Sequence, residues 1–281
     1  MPITLRKLKF LLIIILVITS ACQSNSKKNK NEDPAPVRVE LNTSMGTIVL
    51  ELSDLTPLHR DNFVKLVQEG YFDSMLFHRV IQDFGIQTGD PDSKHASQGK
   101  ALGNGEPSYT IPAEINDSLF HKRGVILAAR DNNPERASSG SQFFIVQGKI
   151  QTDSLLDLAE ERINGYLSQY DFVNDPLNSW LMDSLELAIK MENEESFRRW
   201  EDSIRAGAEN YTNFNRYSIP EKHREVYKSI GGAPHLDQSY TVFGEVIKGL
   251  NVVDSIAAMP VDSLSRPFID VRILSAKLVN K

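Results

Sequence analysis

From Val37 the chain alternates apolar and polar side chains. VRVELNTSMGTIVLEL (37–52) reads as two period-two strands around a turn signal at Asn42 to Gly46. Thr56-Pro57 then marks a helix start, with threonine at the N-cap and proline at the first helical position. Phe63, Leu66 and Val67 give that helix one apolar face, and Gly70 ends it. Short strand-like runs follow: MLFHRVI, FGIQTG, YTIPAEI, GVILAAR and SQFFIVQG. Turn-rich stretches part them, such as GNGEPS (103–108) and RDNNPERASSGS (130–141). This density of short strands predicts a closed antiparallel barrel or a sandwich.

After Lys149 the period changes. From about Thr152 to Ile230 the pattern is helical. Leu155, Leu158, Ala159, Arg162, Ile163 and Tyr166 recur at helical spacing. Asp175-Pro176 is a second cap-plus-proline start, and Trp180, Leu181, Leu185, Ile189, Phe197, Trp200 and Ile204 follow it. Ser218-Ile219-Pro220 opens a last short helix that stops at Gly231-Gly232. The aromatic side chains of this region are expected to pack between the helices or against the barrel. Alternation returns at SYTVFGEV. GLNVVDSIAAM reads as a helix, and FIDVRILSAKLV as a closing strand with Ile269, Val271, Ile273 and Leu274 apolar. A mainly β domain is thus interrupted by an α-helical insertion of about 80 residues, too long for an ordinary connection.

Composition sharpens this only in places. The chain has 281 residues, 41% hydrophobic and 24% charged, within the range of globular domains. Its net charge of −6 disfavours a nucleic-acid partner, which calls for a basic face. The acidity sits in the insert, where residues 152–230 carry 16 acidic and 9 basic side chains. Six histidines stand without metal-ligand spacing, so no metal and no cofactor is expected.

The N-terminus is set apart. Arg6, Lys7 and Lys9 precede an apolar run from Phe10 to Ile18, and small residues then lead to Cys22. This is the layout of a secretory signal. Cys22 is the only cysteine of the chain, so no intramolecular disulfide is possible. Ala21-Cys22 is similar to a bacterial lipobox, which implies lipid attachment at Cys22, although Thr19 is smaller than the aliphatic residue usual there. QSNSKKNKNEDPAP (23–36) reads as a flexible tether. The expected organisation is signal peptide 1–21, lipidated cysteine and tether 22–36, barrel 37–150, insert 151–233 and barrel 234–281. The expected location is the bacterial cell envelope, lipid-anchored and facing the periplasm.

FHRVIQDFGIQTGD (77–90) holds an arginine, a glutamine and an apolar wall, with no carboxylate pair and no nucleophile. Together with GVILAAR, SGSQFFI and PHLDQSYTVFGEVIKGLNVVD it resembles the cyclophilin-type peptidyl-prolyl cis–trans isomerases in their bacterial form. The resemblance covers residues 37–150 and 234–281. It implies a closed eight-stranded antiparallel barrel with two capping helices, and catalysis of rotation about X-Pro bonds. Such rotation faces a barrier of about 18–20 kcal/mol from amide resonance. Lowering it takes a dry pocket for the proline ring and a fixed donor that favours the less conjugated amide, not a nucleophile.

Residue by residue, the resemblance makes Arg79 the catalytic arginine and Phe84 the floor of the proline pocket, with Phe144 and Leu236 as its walls. Gln87 and Gln142 would position the substrate backbone. Ala129 and Arg130 would form the edge that pairs with the peptide. Tyr240 stands where many members have a histidine, and His235 where many have a tryptophan. Gly85 and Thr88 depart from the family pattern, and a missing side chain at 85 is expected to loosen the pocket. The partners implied are proline-containing or unfolded polypeptides, with the protein acting as a monomer. The alternative expectation is a non-catalytic holder of proline-containing chains. The insert is expected to emerge beside the site as a lid or client-holding arm.

Overall fold

Val39, Leu41, Ile48 and Leu50 are the residues that the alternation assigns to one face, and all four are fully buried. They belong to the hairpin of β1 (Arg38–Thr43) and β2 (Gly46–Leu52), in which Val39 faces Leu50 and Leu41 faces Ile48. The structure, a computed structural model, describes residues 35–279 apart from residue 134. The expected signal peptide, Cys22 and all but the last two residues of the tether lie outside the described residues.

The remaining strands are β3 (Arg79–Ile81), β4 (Gly85–Thr88), β5 (Thr110–Ile111), β6 (Val125–Ala128), β7 (Ser138–Ser139), β8 (Phe143–Val146), β9 (Val242–Lys248) and β10 (Ile273–Val279). Eight form one antiparallel sheet in the order β10-β1-β2-β9-β6-β8-β4-β3, and β5 pairs with β7 apart from it. The sheet curls around one core, as the alternation predicts, but it is not a fully paired cylinder. Its edge strands β3 and β10 do not pair with each other. The segments leading into them are tied instead, by Phe77 N–H to Val271 O and Ile273 N–H to Met75 O, each 2.9 Å. The closing strand is also shorter than its pattern suggests: Ile269 and Leu274 are exposed, and pairing with β1 starts at Ile273.

Two helices cover the core, α1 (Pro57–Gln68) through Phe63, Leu66 and Val67, and a later one (Leu250–Ala257) through Val252, Val253 and Ile256. The start of α1 corrects the sequence reading. Thr56 stands at the N-cap but makes no cap bond. The Leu58 and His59 N–H groups donate instead to the Glu114 carboxylate, at 3.1 and 3.0 Å. Burial lowers the pKa of His59. Neutral His59 donates from Nδ1 to Glu114 at 2.7 Å and accepts at Nε2 from the Ser138 hydroxyl at 3.0 Å.

Four helices fill the region expected as an insert: α2 (Asp153–Asn174), α3 (Ser179–Lys190), α4 (Glu194–Glu209) and α5 (Glu221–Ser229). Thr152 and Asp175 act as the caps their positions suggest, accepting from the N–H groups of Leu155 and Leu177. The apolar stripe after Asp175 is broken into α3 and α4 at Glu192, where φ is 51° and Asn193 caps the next helix. Phe172, Leu181, Ile204 and Ala208 form an inner core with Trp200 and Tyr211 at its margin, and Trp180 meets Trp200 edge to face at 5.9 Å. Leu156, Ala159 and Ile163 of α2 bury against Ile219 and Tyr227, and Phe120 of the barrel packs on them.

Candidate active site

Along β8 the side chains alternate between two apolar clusters. Phe143 and Ile145 enter the barrel core, whereas Phe144 and Val146 point to the other face. There they meet Val125, Leu127, Ala233, Leu236 and Val242, with Phe84 and Tyr240 at the margin. Strand register sets the facing of Phe144, and the turns that carry Phe84 and Leu236 bring both to the same cluster. Phe84 ends the turn into β4, with its ring 4.8 Å from Phe144 and stacked on His235 at 5.6 Å.

A line of polar side chains borders this apolar surface. Arg79 and Gln87 are directly opposed across β3 and β4, and Gln87 in turn opposes Phe144 across β4 and β8. Arg79 Nη1 donates to Gln87 Oε1 at 3.3 Å. Gln87 Nε2 donates to Gln142 Oε1 at 2.9 Å. Gln142 Nε2 donates to the carbonyls of Gly103 and Gly105, each at 2.9 Å. Every amide in the line is used in one orientation, so the glutamines are fixed and Arg79 stands at their exposed end. Arg79 is exposed between buried His78 and Val80, as a strand position requires.

The two family departures are both fixed by their surroundings, and Gly85 differs from expectation. A Cβ on Gly85 would collide with the Ile145 carbonyl and come within 2.5 Å of Phe144 Cε1. The Phe144 ring occupies the room that a side chain at 85 would take, so the absent side chain does not loosen the pocket. Thr88 is fully buried and donates its hydroxyl to Leu76 O at 2.8 Å. It faces away from the pocket.

The expected peptide-pairing edge is narrower than the sequence reading allows. Ala129 spends both backbone groups internally: its N–H donates to Gln142 O at 2.9 Å, and its carbonyl accepts from Ser139 N–H at 2.8 Å. That leaves the Arg130 backbone as the edge. The Arg130 side chain is held between the rings of Tyr166 and Tyr240, 5.5 and 5.3 Å from their centroids. It donates to Tyr166 Oη at 2.7 Å and to Ser239 Oγ at 3.3 Å. Tyr166 comes from α2, so that helix reaches the margin of the site. Sequence reading placed Tyr166 on the helix but carried no signal of this contact.

His235 and Leu236 lie on a turn that Asp237 anchors. The buried Asp237 carboxylate pairs with His121 Nδ1 at 2.7 Å and accepts from Tyr227 Oη at 2.8 Å. Burial, then the Asp237 charge, raises the Tyr227 pKa. Burial, with Arg162 and His121 nearby, pushes His235 down to about 4. The aromatic stack on Phe84 is therefore an uncharged one at neutral pH.

The family model described as cyclophilin type peptidyl-prolyl cis-trans isomerase/CLD matches residues 38–164 and 206–278. A Staphylococcus haemolyticus protein, provisionally named a peptidyl-prolyl cis-trans isomerase, is 27% identical over 246 residues, 87% of this chain and 92% of its own. A Staphylococcus epidermidis protein of the same name is 29% identical over 242 residues, 85% and 90% of the two chains. The crystal structure of a Cryptosporidium parvum cyclophilin-type isomerase is similar in fold, with a TM-score of 0.51 at 18% identity, over 88% of this chain and 99% of its own. A crystal structure of that isomerase in the presence of the dipeptide Ala-Pro gives a TM-score of 0.50.

Proposed function

The chain belongs to the cyclophilin-type peptidyl-prolyl cis–trans isomerases, and we propose that Arg79, beside the Phe84–Phe144–Leu236 surface, is its catalytic group. The observation that carries this reading is the hydrogen-bonded line from Arg79 through Gln87 to Gln142 along that apolar surface. A proline ring held on Phe84, Phe144 and Leu236 leaves water. The preceding amide then lies over the polar line. The Arg79 guanidinium acts as a fixed electrostatic donor that favours the pyramidal, less conjugated nitrogen of the transition state. Gln142 and Gln87 hold a substrate carbonyl without adding charge. The Arg130 backbone pairs with the peptide, and Tyr240 closes the pocket over the Arg130 side chain. No covalent step and no proton transfer is required.

The polypeptides acted on are proline-containing chains as they fold, a process that uncatalysed X-Pro rotation slows to tens of seconds or more. The N-terminal sequence supports a lipid anchor at Cys22 and work in the bacterial cell envelope on the periplasmic side. Two measurements test these readings. Exchange NMR on a short Ala-Pro peptide should show faster cis–trans exchange with the purified chain than without it, and unchanged exchange would contradict the activity. Cells expressing the chain and fed a labelled fatty acid should label it, and Cys22→Ser should abolish the label; an equally labelled variant would remove the anchor.

A further inference from the structure

β8 has two ends, and the polar line and the pocket divide between them. Gln142 precedes the strand and carries the Ala129 contact, whereas Phe84 bonds at the other end, its carbonyl accepting from Gln147 N–H and Gly148 N–H at 3.0 Å. Beyond that second end lies a groove of about 400 Å³ between the barrel and α2. Its inner wall is Phe84, Pro234 and His235, and its outer wall is Leu155, Leu158 and Arg162 of the insert. Phe84 and Ala233 belong both to this groove and to the apolar cluster of the proline pocket, and the His235 ring stacks on Phe84, so the two are continuous. Leu155 and Leu158 are 37% and 55% exposed and stay outside the buried clusters of the insert, unlike their neighbours Leu156 and Ala159.

We propose that this groove is a second subsite for the polypeptide substrate. It takes an apolar side chain two or three residues from the proline, on the side that leaves past His235. The inference rests on the isomerase reading of the pocket. The occupant follows from continuity: a chain whose proline lies on Phe84 has the groove as its next surface. An extended residue spans about 3.3 Å, so two or three residues carry the chain past the His235 ring into it. An apolar side chain there covers Leu155 and Leu158, which otherwise face water. The insert thus supplies selectivity among X-Pro sites, favouring those set in apolar sequence, as in chains not yet folded.

The test compares two peptides on the full chain. One has alanine on both sides of a single proline; the other has leucine pairs two and three residues away on both sides. Exchange NMR and titration give a leucine-to-alanine ratio of catalytic efficiency and of affinity for each protein. Wild type should favour the leucine peptide by about fivefold or more. Leu158→Glu should bring the ratio close to one. Leu177→Glu, a control at an 82% exposed leucine off the groove, should keep it. A wild-type ratio near one with the alanine peptide still turned over would overturn the subsite and leave the isomerase reading intact. Loss of the ratio in both variants would also overturn it. Failure to accelerate either peptide would contradict the reading of the pocket, and the affinity ratio alone would then decide the groove.

Discussion

Gly85 shows how a residue that departs from its family can still be fixed by packing. The strand pairing aligns residue 85 with Val146, next to the Phe144 ring, and that ring leaves no room for a Cβ. Gly85→Met is expected to force Phe144 off its position, costing about 1–3 kcal/mol of stability as overpacking does. It should also raise KM for Ala-Pro peptides; urea unfolding and exchange kinetics check both, and a stable variant with unchanged KM would refute the packing account. Thr88 separates stability from activity in the opposite sense. Thr88→Val should lose about 1–3 kcal/mol through the unpaired Leu76 carbonyl, with kcat/KM unchanged within twofold. Arg79, Gln87 and Gln142 were legible as types because a motif carried them. Their mutual bonds were not, since a hydrogen-bonded line from β3 through β4 to the residue before β8 depends on register. The expected loosening at Gly85 failed for the same reason: a single sequence does not say what fills the space beside a glycine.

At the level of elements, the strands and helices followed from periodicity, while their ends were decided by distant residues. Glu114 caps α1 from 55 residues away, and nothing local to Thr56 reveals it. Glu114→Ala should destabilise the fold by about 1–2 kcal/mol, the range of a lost helix cap, while Thr56→Ala should cost clearly less. Equal losses in chemical denaturation would contradict the assignment. The same logic applies to β10, whose apolar pattern runs back to Ile269 but whose pairing with β1 begins at Ile273. Arg266, buried and bonded to Asp270 at 2.9 Å and to Ser97 O at 2.9 Å, organises the loop that the pattern read as strand. The anchored turn at Asp237 joins barrel and insert through Tyr227. Residues so far apart in sequence carry no spacing signal.

For the whole molecule, pH ties the site to stability. His78 and His235 each titrate at about 4 in the folded chain, chiefly because burial disfavours their charge, against an ordinary 6.5. The unfolded chain therefore takes up more protons between those values, and stability falls as pH drops from about 6.5 to about 4. His59 and His223 are shifted in the same direction. The urea midpoint should be lower at pH 5 than at pH 7, and His235→Phe should reduce that difference; an unaltered difference would contradict the burial of a neutral imidazole. The helices between Asp153 and Ser229 were visible in the sequence as a change of period, and their acidity as a charge count. Their contact with the site through Tyr166 and the groove beside Phe84 arise from how α2 lies on the barrel.

The most direct test of the account is the effect of Arg79 on exchange of an Ala-Pro peptide, measured by NMR with wild type and Arg79→Ala at matched binding saturation. Removing a fixed electrostatic group from a preorganised site costs about 10²–10³ in rate. The account predicts a loss of that order, with peptide affinity changed only a few-fold because the apolar surface remains. A variant that binds the peptide and exchanges it at the wild-type rate would contradict the central claim.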